Sequence, residues 1–222
     1  MVTHLPKQLV HIPADAVTLE GELLLPPGAQ GVVVFAHGSG SRRHSSRNTF
    51  VAGVLQSAEL GTLLFDLLTR AEDTNYGTRF DTALLTRRLV AATHWLQQQP
   101  QTKMLAIGYF GASTGAAAAL EATAVLGTAI KAVVSRGGRP DLAGPALARV
   151  QTPTLLIVGG EDHEVMALNR HAYAQLRGEK QLVIVPGATH LFEEPGTLEE
   201  VARLASRWFT QHLCGKQMEK QS

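Results

Sequence analysis

Met104-Leu105-Ala106-Ile107-Gly108-Tyr109-Phe110-Gly111-Ala112-Ser113-Thr114-Gly115-Ala116 is an apolar run that breaks into glycines around one serine and then resumes in small residues. Its first four residues read as a buried strand, and Ser113–Leu126 reads as a helix. Between them Gly111-Ala112-Ser113-Thr114-Gly115 spells G-x-S-x-G. A sharp strand-to-helix turn leaves no room for side chains two before and two after the serine. Glycine at both places lets the backbone close and lifts the Ser113 hydroxyl clear of the sheet. The serine also sits at a helix N-terminus, whose dipole favours developing negative charge. A plain glycine turn with a capping serine would carry the same letters, so the other loops must decide. A dinucleotide fingerprint on Gly108, Gly111 and Gly115 fits less well. That motif belongs on the first βα unit, and here the next strand, near Val134, is followed by Ser135-Arg136 rather than an acid.

Outward from this turn, further short apolar runs are bounded by Gly, Pro or charge: Val32–Ala36, Leu63–Phe65, Ile130–Val134, Thr154–Val158 and Leu182–Val185. Apolar on both faces, they predict buried strands. Segments with helical spacing lie between them, about 48–60, 80–99, 165–177 and 198–213. Thr197-Leu198-Glu199-Glu200 fits a capping box for the last. The alternation predicts βαβ units and a mostly parallel sheet with helices on both faces. Two earlier strands, Gln8–Ile12 and Val17–Leu25, are expected to be antiparallel. No interdomain linker is visible, so residues 1–222 are expected to form a single domain.

Active sites of open parallel sheets lie beyond the carboxyl ends of the strands. After Thr154–Val158 comes Gly159-Gly160-Glu161-Asp162-His163-Glu164, and after Leu182–Val185 comes Pro186-Gly187-Ala188-Thr189-His190. A carboxylate and then a histidine, downstream of the serine and each after a strand, give the order Ser, Asp, His. Serine is a poor nucleophile at neutral pH, so His190 would take its proton. Asp162 would hold the imidazole in the right tautomer. Glu161 and Glu164 are rival acids, and His163 is a rival base that would sit beside the acid.

The loop His37-Gly38-Ser39-Gly40 also follows a strand. Attack on a carbonyl leaves an oxyanion, and each fixed N–H donor stabilises it by about 3–4 kcal/mol. The donors expected are the amides of Ser39 and Thr114, with His37 and Gly38 near substrate.

His37-Gly38-Ser39-Gly40, Gly111-Ala112-Ser113-Thr114-Gly115, Asp162 and His190 together resemble the α/β-hydrolase superfamily, and the compact form resembles its dienelactone-hydrolase-like branch. The resemblance spans about residues 17–213. It implies an α/β-hydrolase fold, a three-layer αβα sandwich on a mostly parallel sheet of about eight strands, with the second antiparallel, no large lid domain and no cofactor. Dienelactone hydrolases proper carry a cysteine nucleophile, whereas position 113 is serine. The resemblance therefore extends to fold and triad and not to that substrate.

The function expected is a serine hydrolase that cleaves a small soluble ester, thioester or lactone through an acyl-enzyme. The loop Leu67–Arg79 is the widest irregular segment at the catalytic end and could partly cover the site. Arg70, Arg79, Arg136 and Arg139 lie on loops there, and one of them could bind a substrate carboxylate or phosphate. The other reading is four solvated arginines. A non-catalytic binding protein on this fold is the rival class, and a peptidase or acyltransferase would keep the same triad.

Net charge is only +1, which argues against a nucleic-acid or membrane-surface partner for the chain as a whole. The basic cluster Arg42, Arg43, His44 and Arg47 reads as a solvated loop. One cysteine, Cys214, cannot form an internal disulfide. Metal-ligand spacings such as H-E-x-x-H are absent. Met1–Lys7 contains no apolar leader core, so a cytoplasmic protein, monomer or homodimer, is expected.

Overall fold

The structure, a computed structural model, describes residues 7–214. All of the N-terminal stretch read for a leader except Lys7 lies outside the described residues. The chain starts with a hairpin, β1 (Gln8–Ala14) and β2 (Val17–Leu24). In β1 buried and exposed positions alternate, with Val10, Ile12 and Ala14 inward. The strands that follow are β3 (Gly31–Ala36), β4 (Gly61–Phe65), β5 (Ala106–Ala112), β6 (Ile130–Arg136), β7 (Thr154–Gly159) and β8 (Lys180–Val185). Every residue of β3, β4 and β7 is buried, as expected of strands covered on both sides.

The eight strands form one sheet in the order β1-β2-β4-β3-β5-β6-β7-β8. β2 runs antiparallel to both its neighbours, and from β4 onward every pairing is parallel. The helices are α1 (Ser46–Ser57), α2 (Tyr76–Arg79), α3 (Thr82–Gln98), α4 (Thr114–Leu126), α5 (His163–Gln175) and α6 (Thr197–Leu213). One face of the sheet packs on α3, α4 and α5 through Leu85, Leu89, Ala117–Leu120 and Ala172. The other packs on α1 and α6 through Val51, Leu55, Val201, Ala205 and Phe209. This is the α/β-hydrolase fold, three layers with no large inserted lid among the described residues.

Three local readings need correction. The strand expected at Met104 begins at Ala106 and runs on through the glycines to Ala112. Met104 is 87% exposed, in a turn. Glycine is depleted from strands, but here both edges of β5 are already paired with β3 and β6, which keeps the backbone extended. The capping box at Thr197 does not form. Gly196, with φ +83°, takes the cap position, and the Thr197 hydroxyl donates back to the Glu194 carbonyl at 2.7 Å. The loop Leu67–Arg79 is less irregular than expected. It contains a short 3-10 turn, Glu72–Thr74, and then α2.

Candidate active site

β5 delivers Ser113 with φ +50° and ψ −124°, a left-handed conformation that non-glycine residues adopt only under strain. The glycines beside it have steric reasons. A Cβ on Gly111 would lie 2.5 Å from the Ala116 Cα, and one on Gly115 would lie 2.1 Å from the Ala36 carbonyl oxygen. The close packing that forces the turn therefore comes from β3 and α4 together. Ser113 caps α4 through its backbone only, which leaves the hydroxyl uncommitted to the helix.

Asp162 is the residue just before α5, and His190 lies in the loop after β8. Their side chains meet, with His190 Nδ1 2.6 Å from Asp162 Oδ2. Asp162, rather than Glu161 or Glu164, is the acid at this imidazole. The His190 loop is braced by Glu194, whose carboxylate accepts from the Thr189 hydroxyl at 2.6 Å and the Thr189 amide at 3.1 Å. Those bonds, the hydroxyl's first, hold the Glu194 carboxyl below the ordinary glutamate range. Ser113 and His190 line one cavity of about 250 Å³, together with Gly38, Ser39, Ser41, Ser45, Arg47, Arg136 and Leu191. The hydroxyl and the imidazole face the same space without being hydrogen-bonded to each other.

The Ser39 amide donates to Thr114 Oγ1 at 3.0 Å, so the two expected donor residues are in direct contact. The Thr114 amide, first in α4, has no acceptor within its helix. Gly38 lies against Ser113; a Cβ there would come within 2.9 Å of Ser113 Cβ. His37 plays a different part from the substrate contact expected. It is 6% exposed, its Nε2 accepts the Leu67 amide at 3.0 Å, and its Nδ1 is 3.0 Å from the Gly38 carbonyl. A carbonyl only accepts, so the proton is on Nδ1. Burial pushes its pKa below the usual histidine value and keeps it neutral. His37 thus ties the loop after β3 to the loop after β4 instead of facing the cavity.

The arginines separate cleanly. Arg79 Nε donates to the Asp73 carbonyl and carboxylate at 2.7 and 3.0 Å, and Arg139 grips Asp141 with two bonds of 2.9 and 2.8 Å. Arg70 lines another cleft, with Thr18, Glu20, Arg42 and Asp66. Of the four, only Arg136 reaches the Ser113 cavity. The basic cluster is not merely solvated: Arg43 is held by Asp66 and Glu20, Arg42 by Asp73, and Arg47 lines the Ser113 cavity. Sequence reasoning missed Arg47, and its place as the second residue of α1, just after a Ser-rich loop, was the available signal. Among the described residues no group of three or more His, Cys, Asp or Glu side chains is gathered to hold a metal ion. No helix among them is long and apolar enough to cross a membrane.

The profile of the dienelactone hydrolase family matches residues 66–213. The chain belongs to the dienelactone hydrolase family. The crystal structure of a dienelactone hydrolase from Anabaena variabilis is 55% identical, covers 94% of this chain and 99% of its own, and superposes with a TM-score of 0.92. The Butyrivibrio proteoclasticus protein Est1E shares the fold at 15% identity, with a TM-score of 0.78 over 91% of this chain and 98% of its own. Curated proteins from two strains of Mycobacterium tuberculosis, provisionally named phosphoribosyl transferases, are 58% identical over 206 residues, 93% of this chain and 46% of theirs. The chain spans about half the length of those curated relatives. Within the dienelactone hydrolase family, position 113 of this chain is serine.

Proposed function

We propose that the chain is a serine hydrolase acting on a small soluble ester, thioester or lactone. The observation that carries this reading is that His190, bonded to Asp162 at 2.6 Å, lines the same cavity as the strained Ser113. In this mechanism the Ser113 hydroxyl attacks the acyl carbon as His190 Nε2 takes its proton. Asp162 orients the imidazole and stabilises its charged form. The Ser39 and Thr114 amides hold the oxyanion. The leaving alcohol or thiol collects the proton from His190, and water then hydrolyses the acyl-enzyme by the same steps. Resting active sites commonly leave the serine–histidine bond open until substrate tightens it.

The size of the cavity favours small substrates over bulk lipid. On this reading, the transferase named for the curated relatives belongs to the half of those proteins that this chain does not match.

A fluorophosphonate probe tests the proposal, alongside p-nitrophenyl esters of increasing chain length. The wild-type protein should be labelled and should favour short acyl chains, and Ser113→Ala should lose both labelling and turnover. Equal labelling of the two proteins would overturn it.

A further inference from the structure

Arg136 ends β6 on the rung beside Ala112, one residue before the nucleophile, and its side chain lines the nucleophile's cavity. The residue is only 7% exposed, and its buried Nε has no hydrogen-bond partner. Its guanidinium lies over the Phe192 ring, 5.9 Å from the ring centre, and no carboxylate among the described residues pairs with it. Other buried or half-buried arginines are compensated: Arg88 by Glu72, Arg43 by Asp66 and Glu20, Arg139 by Asp141. An unpaired buried guanidinium is unfavourable unless an anion meets it.

A second cation faces the first. Arg47 lines the same cavity from the first turn of α1, and its Nε is also buried without a partner. Its Nη1 is 3.1 Å from Glu193, a carboxylate that is largely exposed. The Arg136 pKa is drawn down to about 10, by burial first and then by the charge of Arg47. The first turn of α1 contains no acidic residue, although that end of a helix is positive. Its cap, Ser45, also lines the cavity, as does Ser41. Two guanidiniums, a positive helix end and hydroxyls converge on a cavity with no acidic residue in its lining, and Glu193 meets Arg47 from outside it.

We propose that this cavity takes esters bearing a phosphate group, seated between Arg136, Arg47 and the first turn of α1. A dianion with three oxygens can engage Arg136, Arg47 and the helix amides together, more fully than a single carboxylate can, and the one carboxylate at Arg47, Glu193, is largely exposed. This assignment rests on the serine hydrolase reading and deepens it.

The test measures acetate release from 1-acetylglycerol, its 3-phosphate and 3-O-acetylglycerate. Wild-type kcat/KM should be about 30-fold or more higher on the phosphate ester than on the neutral one. In Arg136→Met, which keeps the volume and removes a buried charge, that ratio should fall towards one. Equal rates on phosphate and neutral esters in an active wild-type protein would overturn the phosphate site alone, as would a preference for the carboxylate ester. Acetate release by Ser113→Ala would instead overturn the hydrolase reading. If none of the three is cleaved, inorganic phosphate decides: it should raise the Tm of the wild type and not of Arg136→Met. No shift in the wild type would sink the site.

Discussion

The backbone amide of Ser39 is held by the side-chain hydroxyl of Thr114 at 3.0 Å. An amide proposed to stabilise an oxyanion is thus aimed and occupied before substrate arrives. An oxyanion is a stronger acceptor than a hydroxyl and should displace it. Thr114→Val keeps the shape and removes the acceptor. It should lower kcat about 10-fold through lost preorganisation and change stability by no more than about 1.5 kcal/mol. Steady-state kinetics and a melt on the same sample would show it; an undiminished kcat would dismiss the role.

Asp162 and His190 face each other at 2.6 Å, with the Asp162 side chain largely withdrawn from solvent. Asp162→Asn preserves size and hydrogen bonding but favours the wrong imidazole tautomer. A fall in kcat of about 10³–10⁴ is expected, with the melting temperature nearly unchanged. Glu161→Gln, one residue away, should keep most of the activity.

Strain at Ser113 predicts a gain in stability at the expense of chemistry. Its φ of +50° suits glycine, not alanine. Ser113→Gly should therefore be more stable than Ser113→Ala by about 1 kcal/mol, by relief of the left-handed penalty. Equal denaturant midpoints for the two would show that the elbow is unstrained.

His37 makes folding sensitive to acid. Burial lowers its pKa in the folded protein, while the unfolded chain keeps a value near 6.5. Below that value the unfolded state takes up a proton that the folded state refuses, so stability falls as pH drops, by up to about 1.4 kcal/mol per unit. His212, lowered mainly by burial, adds in the same direction. Melting temperatures between pH 7 and pH 5 should decline less steeply in His37→Gln than in the wild type. At pH 7 His37→Leu, which leaves the Leu67 amide without an acceptor, should lose about 1–3 kcal/mol.

Gly115 meets the Ala36 carbonyl oxygen at a distance no Cβ can tolerate. Gly115→Ala should destabilise by about 3 kcal/mol or more and abolish activity, since β3 or α4 must shift. A wild-type melting curve would show that the packing can yield.

Most of the architecture was legible because the signals were local. Strands buried on both faces announce themselves as unbroken apolar runs, and Val32–Ala36 and Thr154–Val158 were located that way. The contact between Asp162 and His190 could be anticipated because each residue directly follows a strand of a parallel sheet. What stayed hidden depended on which partner each side chain takes, near or far along the chain. Thr197 looked like a helix cap until the turn at Gly196 took that position. His37 looked like a substrate contact, and only the Leu67 amide, from another loop, shows what its ring does. The four arginines were alike in sequence; Asp73 and Asp141 set two of them apart, and the Phe192 ring sits beneath the third. Arg47 lay inside a basic cluster that read as solvated.

Ala112 and Arg136 are opposite each other in the β5–β6 ladder. Neighbouring strands cannot slide without losing a row of hydrogen bonds, so the backbone spacing between Ser113 and Arg136 is set by the ladder rather than by loops. The pair behaves as a fixed gauge: among charged esters, those with the right number of bonds between acyl carbon and acid group would fit, and longer or shorter homologues would miss at one end.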